Sequence, residues 1–166
     1  VETMTGATCH PNDDLRTQGL TEILSFDMPK EPIITGLLAM LQSPATPAHP
    51  WYLRLGATRS LGKLQIKSDD VVAALVQIGF DRTQWREWRE EALRALKTLD
   101  LQDSPAFAEA TVKLLQTQSE ADKAYAWATV KAMENCRNES VLDALACHMP
   151  DNLEVSTYVS NARPAS

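Results

Sequence analysis

Two cysteine–histidine pairs are the first residues of this chain whose types could do chemistry. Cys9 is followed by His10, and Cys147 by His148. Thiolate sulfur and imidazole nitrogen both bind zinc, but structural zinc sites hold ligands at short spacings such as Cys-x-x-Cys or His-x-x-x-His. Neither pair has such a spacing, and a shared site would need the two chain ends to meet. The sequence therefore predicts no metal site.

Of the three cysteines, Cys9, Cys136 and Cys147, the last two are candidate nucleophiles or disulfide partners. A catalytic thiol needs a base within reach. His148 follows Cys147 directly, but consecutive helical residues point apart. The odd count and wide spacing favour reduced thiols in an intracellular, cytoplasmic setting, with a Cys136–Cys147 bridge left open.

No other catalytic pattern is present in the sequence. There is no phosphate-binding glycine loop, no serine elbow and no carboxylate pair in a recognisable motif. The sequence therefore predicts no catalytic residue and no cofactor, and it favours a non-enzymatic role.

Aromatic and basic residues alternate around position 85, where Trp85 and Trp88 lie beside Arg82, Arg86 and Arg89. Such a cluster could bind a nucleobase or an extended peptide. However, both tryptophans fall on one apolar helical stripe, so the spacing favours a role in the core. The net charge of −6 also argues against non-specific nucleic-acid binding.

The charge is unevenly distributed along the chain. Residues 54–97 hold nine basic and six acidic side chains, whereas the segments on either side are acidic. This basic region is either a solvated helix surface or a patch that binds an acidic protein. The second interpretation predicts a partner-binding surface made of five cations: Arg59, Lys63, Arg86, Arg94 and Lys97.

The elements that must position these cations follow from a repeat. A twelve-residue pattern at 53–64 reads LRLGATRSLGKL and returns at 88–99 as WREEALRALKTL. A weaker third copy, DKAYAWATVKAM, occupies 122–133. A period of this length is typical of stacked helical pairs, each of which buries its apolar face against a neighbour.

Apolar spacing, prolines and caps predict seven helices and no convincing strand. The predicted ranges are 33–42, 51–64, 69–79 after an N-cap at Ser68, 83–99, 105–116, 120–136 and 141–148. Residues 1–30 are predicted as an N-terminal extension with a short helix, 31–150 as the repeat domain and 151–166 as a flexible tail. No apolar run is long enough to span a membrane. Val1 at the start suggests a mature form or a piece of a longer protein.

The span from Ile33 to Met149 resembles HEAT repeats, in particular the short HEAT-like repeats of phycobilin lyase subunits. In that family the second helix of each pair carries an arginine, then an alanine, then leucines. The matching positions here are Arg54, Ala57, Leu61 and Leu64 in one copy, and Arg89, Ala92, Leu96 and Leu99 in the next. The family's acidic residue between paired helices matches Asp81, whereas the first pair has no counterpart to it. The resemblance implies an all-α fold, a short α-solenoid of about three to four HEAT-like helix pairs.

The function expected from this architecture is a protein–protein interaction scaffold or adaptor that docks a partner on one face of the array. Its arginines at positions 54 and 89 are expected to bridge to the next pair rather than to contact a ligand. Two alternatives remain. One is a subunit or chaperone similar to bilin lyases, which holds a tetrapyrrole or its acceptor protein; the other is a structural subunit of a large assembly.

Overall fold

The computed structural model describes residues 31–42, 51–65 and 67–163, and three single positions, Asn12, Leu15 and Gly19. All regular structure over the three described ranges is helical, which confirms the all-α prediction. The eight helices there are α1 (Glu31–Gln42), α2 (Trp51–Lys63), α3 (Asp69–Phe80), α4 (Arg86–Thr98), α5 (Pro105–Leu115), α6 (Glu120–Met133), α7 (Glu139–His148) and α8 (Leu153–Ala162). The short helix predicted within residues 1–30 lies outside the described residues.

Side-chain caps define several helix starts. Ser68 accepts a hydrogen bond from the backbone N–H of Val71 at the start of α3. Ser104 caps α5 in the same way and is followed by Pro105 at the first helical position. These serines satisfy N–H groups that have no partner within the helix. Both caps were predicted from the sequence and are confirmed.

Helix α4 begins three residues later than predicted, at Arg86 rather than Thr83. The Asp81 carboxylate accepts hydrogen bonds from the backbone N–H and the hydroxyl of Thr83, and from the side-chain amide of Gln84. An aspartate that bonds to the backbone two residues on stabilises a turn in competition with the helix. Because of this turn, Trp85 precedes the first residue of α4, and its side chain is exposed.

The chain divides into two compact units, residues 1–99 and 100–166. In the first unit, α2 packs against α1 and α4, and α3 packs against α4. This packing of successive helices is solenoid-like within the unit. The alanines and leucines of the repeat are buried, as predicted: Ala57, Leu61, Leu64, Ala92, Leu96 and Leu99. A single repeat domain over residues 31–150 stays a prediction.

Helices α2 and α4 approach closely because small residues lie between them. A Cβ atom placed on Gly62 would lie 3.0 Å from the Cβ of Ala95 and 3.2 Å from its Cα. Contacts between the two helices advance together along the chain, from Thr58 with Trp88 to Gln65 with Thr98. The two helices therefore run parallel, and their backbones are near enough to align side chains from both.

In the second unit, α5 packs against α6 and α7, and α7 packs against α8. Its largest fully buried side chains are Phe107, Leu115, Leu142 and Leu145. Across the described ranges no helix is long and apolar enough to cross a membrane.

Helix α8 corrects the prediction of a flexible tail at 151–166, which is wrong for residues 153–162. Asn152 caps this helix by accepting from the N–H of Val155. Val155 and Val159 are buried, and the ring of Tyr158 meets that of Trp127 edge-on with centroids 5.4 Å apart. Two valines at a spacing of four suffice for packing against α7, but they give too weak a periodic signal in a polar segment.

Two substitutions in α8 test whether residues 153–162 form a packed helix or a flexible tail. Val155→Ala should lower the free energy of unfolding by about 1–3 kcal/mol, because it removes two methyl groups from a fully buried position. Leu153→Ala, in the same helix at 81% exposure, should change it by less than about 0.5 kcal/mol. Chemical denaturation of both variants measures the difference. Equal, negligible effects would show that α8 is not packed in solution.

Candidate docking surface

Three of the five predicted cations line one groove between α2 and α4. Arg59 and Lys63 contribute from α2 and Arg94 from α4, around a volume of ≈ 290 Å³. We call this the basic groove; its other lining residues are Gly62, Glu91, Ala95 and Thr98. With three cations and one carboxylate, its lining carries a net positive charge.

Glu91 organises the cations of the basic groove. Its Oε2 lies 3.0 Å from Nε of Arg59 and 2.5 Å from Nη1 of Arg94. The glutamate is only 6% exposed, whereas the Arg94 side chain is largely in solvent. A buried carboxylate requires a partner, so Glu91 fixes both guanidinium groups at the surface. The Arg94 guanidinium, whose side chain is 62% exposed, can present further N–H donors to an external acceptor.

Gln65 lies beside the basic groove and bonds to the backbone of two of its lining residues. The side-chain amide of Gln65 donates to the carbonyl oxygens of Gly62 and Thr98, at 3.2 and 3.4 Å. Gln65 itself has φ of 56°, in the left-handed region, which ends α2 at this point. The amide therefore bridges the C-terminal ends of the two helices.

The other two predicted cations, Arg86 and Lys97, do not line the basic groove. Nε of Arg86 lies 2.6 Å from Oε1 of Glu90, one turn along α4. The hydrogen bond that Arg86 donates to the Glu90 carboxylate raises the pKa of Arg86. Lys97 is an exposed residue of the last turn of α4. The structure thus brings together Arg59, Lys63 and Arg94 and leaves Arg86 paired on its own helix.

Trp85 corrects the prediction that both tryptophans belong to the core. It is 50% exposed, because it precedes α4 and does not share the helical stripe. Trp88 is buried, as predicted, and its indole N–H donates to the hydroxyl of Thr58 at 2.8 Å. The guanidinium of Arg54 lies 5.2 Å from the centre of the Trp88 ring. Arg54 therefore contacts helix α4.

An apolar hollow lies beside Trp85, at the other end of α2 and α4 from the basic groove. It has a volume of ≈ 410 Å³ and is lined by Leu55, Trp85, Glu87 and Trp88. Leu55 and Arg59 are one turn apart on α2, and Glu87 and Glu91 are one turn apart on α4. The hollow and the basic groove therefore lie in line along the contact between the two helices. We call this combined strip the α2–α4 seam.

The cysteines of the second unit are free thiols in different environments. Cys136 is buried and its Sγ donates to the carbonyl oxygen of Gln102, whereas Cys147 is exposed. Burial raises the pKa of Cys136 to about 11. Such a thiol is almost wholly protonated at neutral pH and is a poor nucleophile. Cys9 and His10 lie outside the described residues, within which no group of three metal-binding side chains is found.

Comparison with known proteins gives no relative: no protein-family model, no curated protein and no solved structure matches the chain. The geometry of the seam therefore carries the functional interpretation.

The seam includes residues that the sequence did not single out. The exposure of Trp85, the buried ion pairs of Glu91 and the bridge made by Gln65 were all missed. The turn signal at Asp81, two residues before Thr83, could have placed the start of α4 later and so moved Trp85 out of the core.

A matched pair of substitutions tests the role of Glu91. Glu91→Gln should lower the free energy of unfolding by about 1–3 kcal/mol, because it removes the charge that holds Arg59 and Arg94. Glu90→Gln breaks only the exposed pair with Arg86 and should cost less than about 0.5 kcal/mol. Denaturation curves at low and high salt measure both. Equal costs would contradict an organising role for Glu91.

Thiol reactivity should distinguish Cys136 from Cys147. In a Cys9→Ser background at pH 8, an aromatic disulfide reagent should modify Cys147 in the folded protein. Cys136 should react at least roughly a hundredfold more slowly, because it is buried and its thiolate is scarce. Mass spectrometry of digested samples assigns the modified site, and unfolding in denaturant should equalise the two rates. Fast modification of Cys136 in folded protein would refute its buried state.

Proposed function

We propose that this chain is a protein-interaction module that docks an acidic partner segment along the α2–α4 seam. The observation that carries the proposal is the convergence of Arg59, Lys63 and Arg94 on one groove. We further propose that the helix pairs belong to a HEAT-like array, on the strength of the repeated arginine, alanine and leucine positions. Arrays of this kind present extended binding faces.

The two ends of the seam suit a partner with two kinds of side chain. Carboxylates of the partner would bind the cations of the basic groove, where Glu91 already holds two guanidinium groups in place. An apolar anchor would fill the hollow beside Leu55 and Trp85. Tryptophan and arginine are the residue types most often found at the energetic centre of protein interfaces. The proposed partner segment is therefore acidic with one large apolar residue.

The acidic character of the whole chain supports protein over nucleic acid as the partner. The seam cations lie in a locally basic region of a chain whose net charge is −6. The net charge of −6 opposes the approach of a long polyanion such as a nucleic acid, whereas a short acidic peptide needs to contact only the basic groove.

The proposal is tested by affinity capture with matched charge variants. Lys63→Glu reverses an exposed charge in the basic groove, and Trp85→Ala removes the exposed aromatic. Each should weaken binding of the captured partner roughly tenfold or more, with a melting temperature close to that of the parent chain. The control is Lys113→Glu, which reverses the charge of an exposed residue on α5 and should bind the partner as the parent chain does.

Binding of the captured protein is then measured by titration calorimetry against all four purified chains. Raising the salt concentration should weaken binding to the parent chain, and it should weaken binding to Lys63→Glu by a smaller factor. A partner that binds parent, Lys63→Glu and Trp85→Ala equally would overturn the proposal, as would capture of RNA or DNA alone.

A further inference from the structure

The first unit contains a third cavity, whose lining differs in charge from those of the basic groove and the apolar hollow. It has a volume of ≈ 650 Å³ and lies between α1 and α3, with Arg54 and Trp88 contributing from α2 and α4. Volumes of roughly 300–1,000 Å³ are typical of sites for small organic ligands. The cavity is therefore large enough for a molecule of several residues.

One face of α3 forms the floor of the cavity. Its lining positions on this helix and its C-cap are spaced by three and four residues: Asp70, Ala73, Ala74, Gln77, Ile78 and Asp81. The two carboxylates lie at the ends of this stripe, roughly 16 Å apart along the axis at 1.5 Å per residue. The two alanines leave space in the middle, where larger residues would fill the cavity.

Arg54 is the only cation among the described residues that line the cavity, and its donors are not all used. The guanidinium stacks on the Trp88 ring, but its Nε is buried and makes no hydrogen bond. A buried donor without an acceptor costs free energy, commonly about 1–3 kcal/mol. An acceptor that enters the cavity would remove this cost. A carboxylate is the best complement, since it accepts two parallel bonds from a guanidinium.

The remaining lining residues indicate which other chemical groups a ligand should carry. Asp81 is held as a carboxylate, because hydrogen bonds from Thr83 and Gln84 lower its pKa. Asp70 lies in the exposed first turn of α3. Two carboxylates and one arginine give the described part of the lining a net negative charge, which disfavours a phosphate or another polyanion. Leu38 and Ile78 supply apolar surface, and the amide of Gln77 can bind a peptide group.

We propose that this cavity binds a short free peptide of two to four residues with apolar side chains. Its C-terminal carboxylate accepts from Arg54, its N-terminal ammonium binds at Asp70, and its side chains contact Leu38 and Ile78. Three extended residues span roughly 10 Å, which fits within the length of the α3 floor. This site shares Trp88 with the apolar hollow but includes none of the cations of the basic groove.

The test uses the tripeptide Leu-Ala-Leu in three forms: free, N-acetylated and C-terminally amidated. Titration calorimetry on the whole chain should show binding of the free form. Blocking either terminus should weaken it roughly tenfold or more, because each block removes one charge-assisted interaction. The paired comparison isolates each terminus without changing the protein.

Protein variants then assign the two ends. Arg54→Gln should abolish the difference between the free and the amidated peptide. Asp70→Asn should abolish the difference between the free and the acetylated peptide. Asp69→Asn, in the same exposed turn but outside the cavity lining, should retain both differences. Because Asp70 is exposed, its variant should fold even if Arg54→Gln is unstable.

Three outcomes would overturn the proposal. The first is no detectable binding of free Leu-Ala-Leu at millimolar concentration. The second is equal affinity for all three forms. The third is an Asp70→Asn variant that still distinguishes the free from the acetylated peptide. None of these results bears on binding at the basic groove, which Lys63→Glu tests separately.

Discussion

The close contact between α2 and α4 is the constraint on which the candidate sites of the first unit depend. Gly62 and Ala95 let the two backbones approach, and the parallel direction of the helices then brings equivalent turns side by side. Arg59 meets Glu91 across this contact, and Thr58 meets Trp88. A larger residue at position 62 would separate the helices and move these pairs apart. Small residues thus determine the geometry of charged ones.

Charge in this unit is arranged around a few buried polar groups. Glu91 is almost fully buried, and a buried carboxylate is tolerated only with charged or hydrogen-bonding partners. The arginines that pair with Glu91 are thereby held in place at the surface, so their side chains have less conformational freedom than unpaired arginines. Arg54 is the opposite case. The Arg54 guanidinium stacks on the Trp88 ring, but its buried Nε makes no hydrogen bond. This N–H therefore remains available to donate.

The second unit shows how a sparse apolar pattern can still produce an ordered helix. Only two valines of α8 are buried, but Tyr158 adds an edge-on contact with Trp127 and a hydrogen bond to the carbonyl oxygen of Cys136. Lys131 also pairs with Glu154 between α6 and α8. These contacts come from residues far apart in the chain. Periodicity within ten residues cannot reveal them, and for that reason the segment was predicted as a tail.

The sequence by itself determined the helical class, the cores of seven helices, the caps at Ser68 and Ser104, and the buried alanines and leucines of the repeat. These features follow from local spacing and from backbone groups near in sequence. Only the tertiary structure decided which cations share a groove, that Trp85 is exposed, that Glu91 is buried and that Arg54 faces a cavity. The spacing of Arg59, Arg86 and Arg94 is compatible with one surface. Arg59 and Arg94 share Glu91 because α2 packs against α4, whereas Arg86 pairs with Glu90 one turn along its own helix. Only the packing of the two helices therefore decides which cations share a groove.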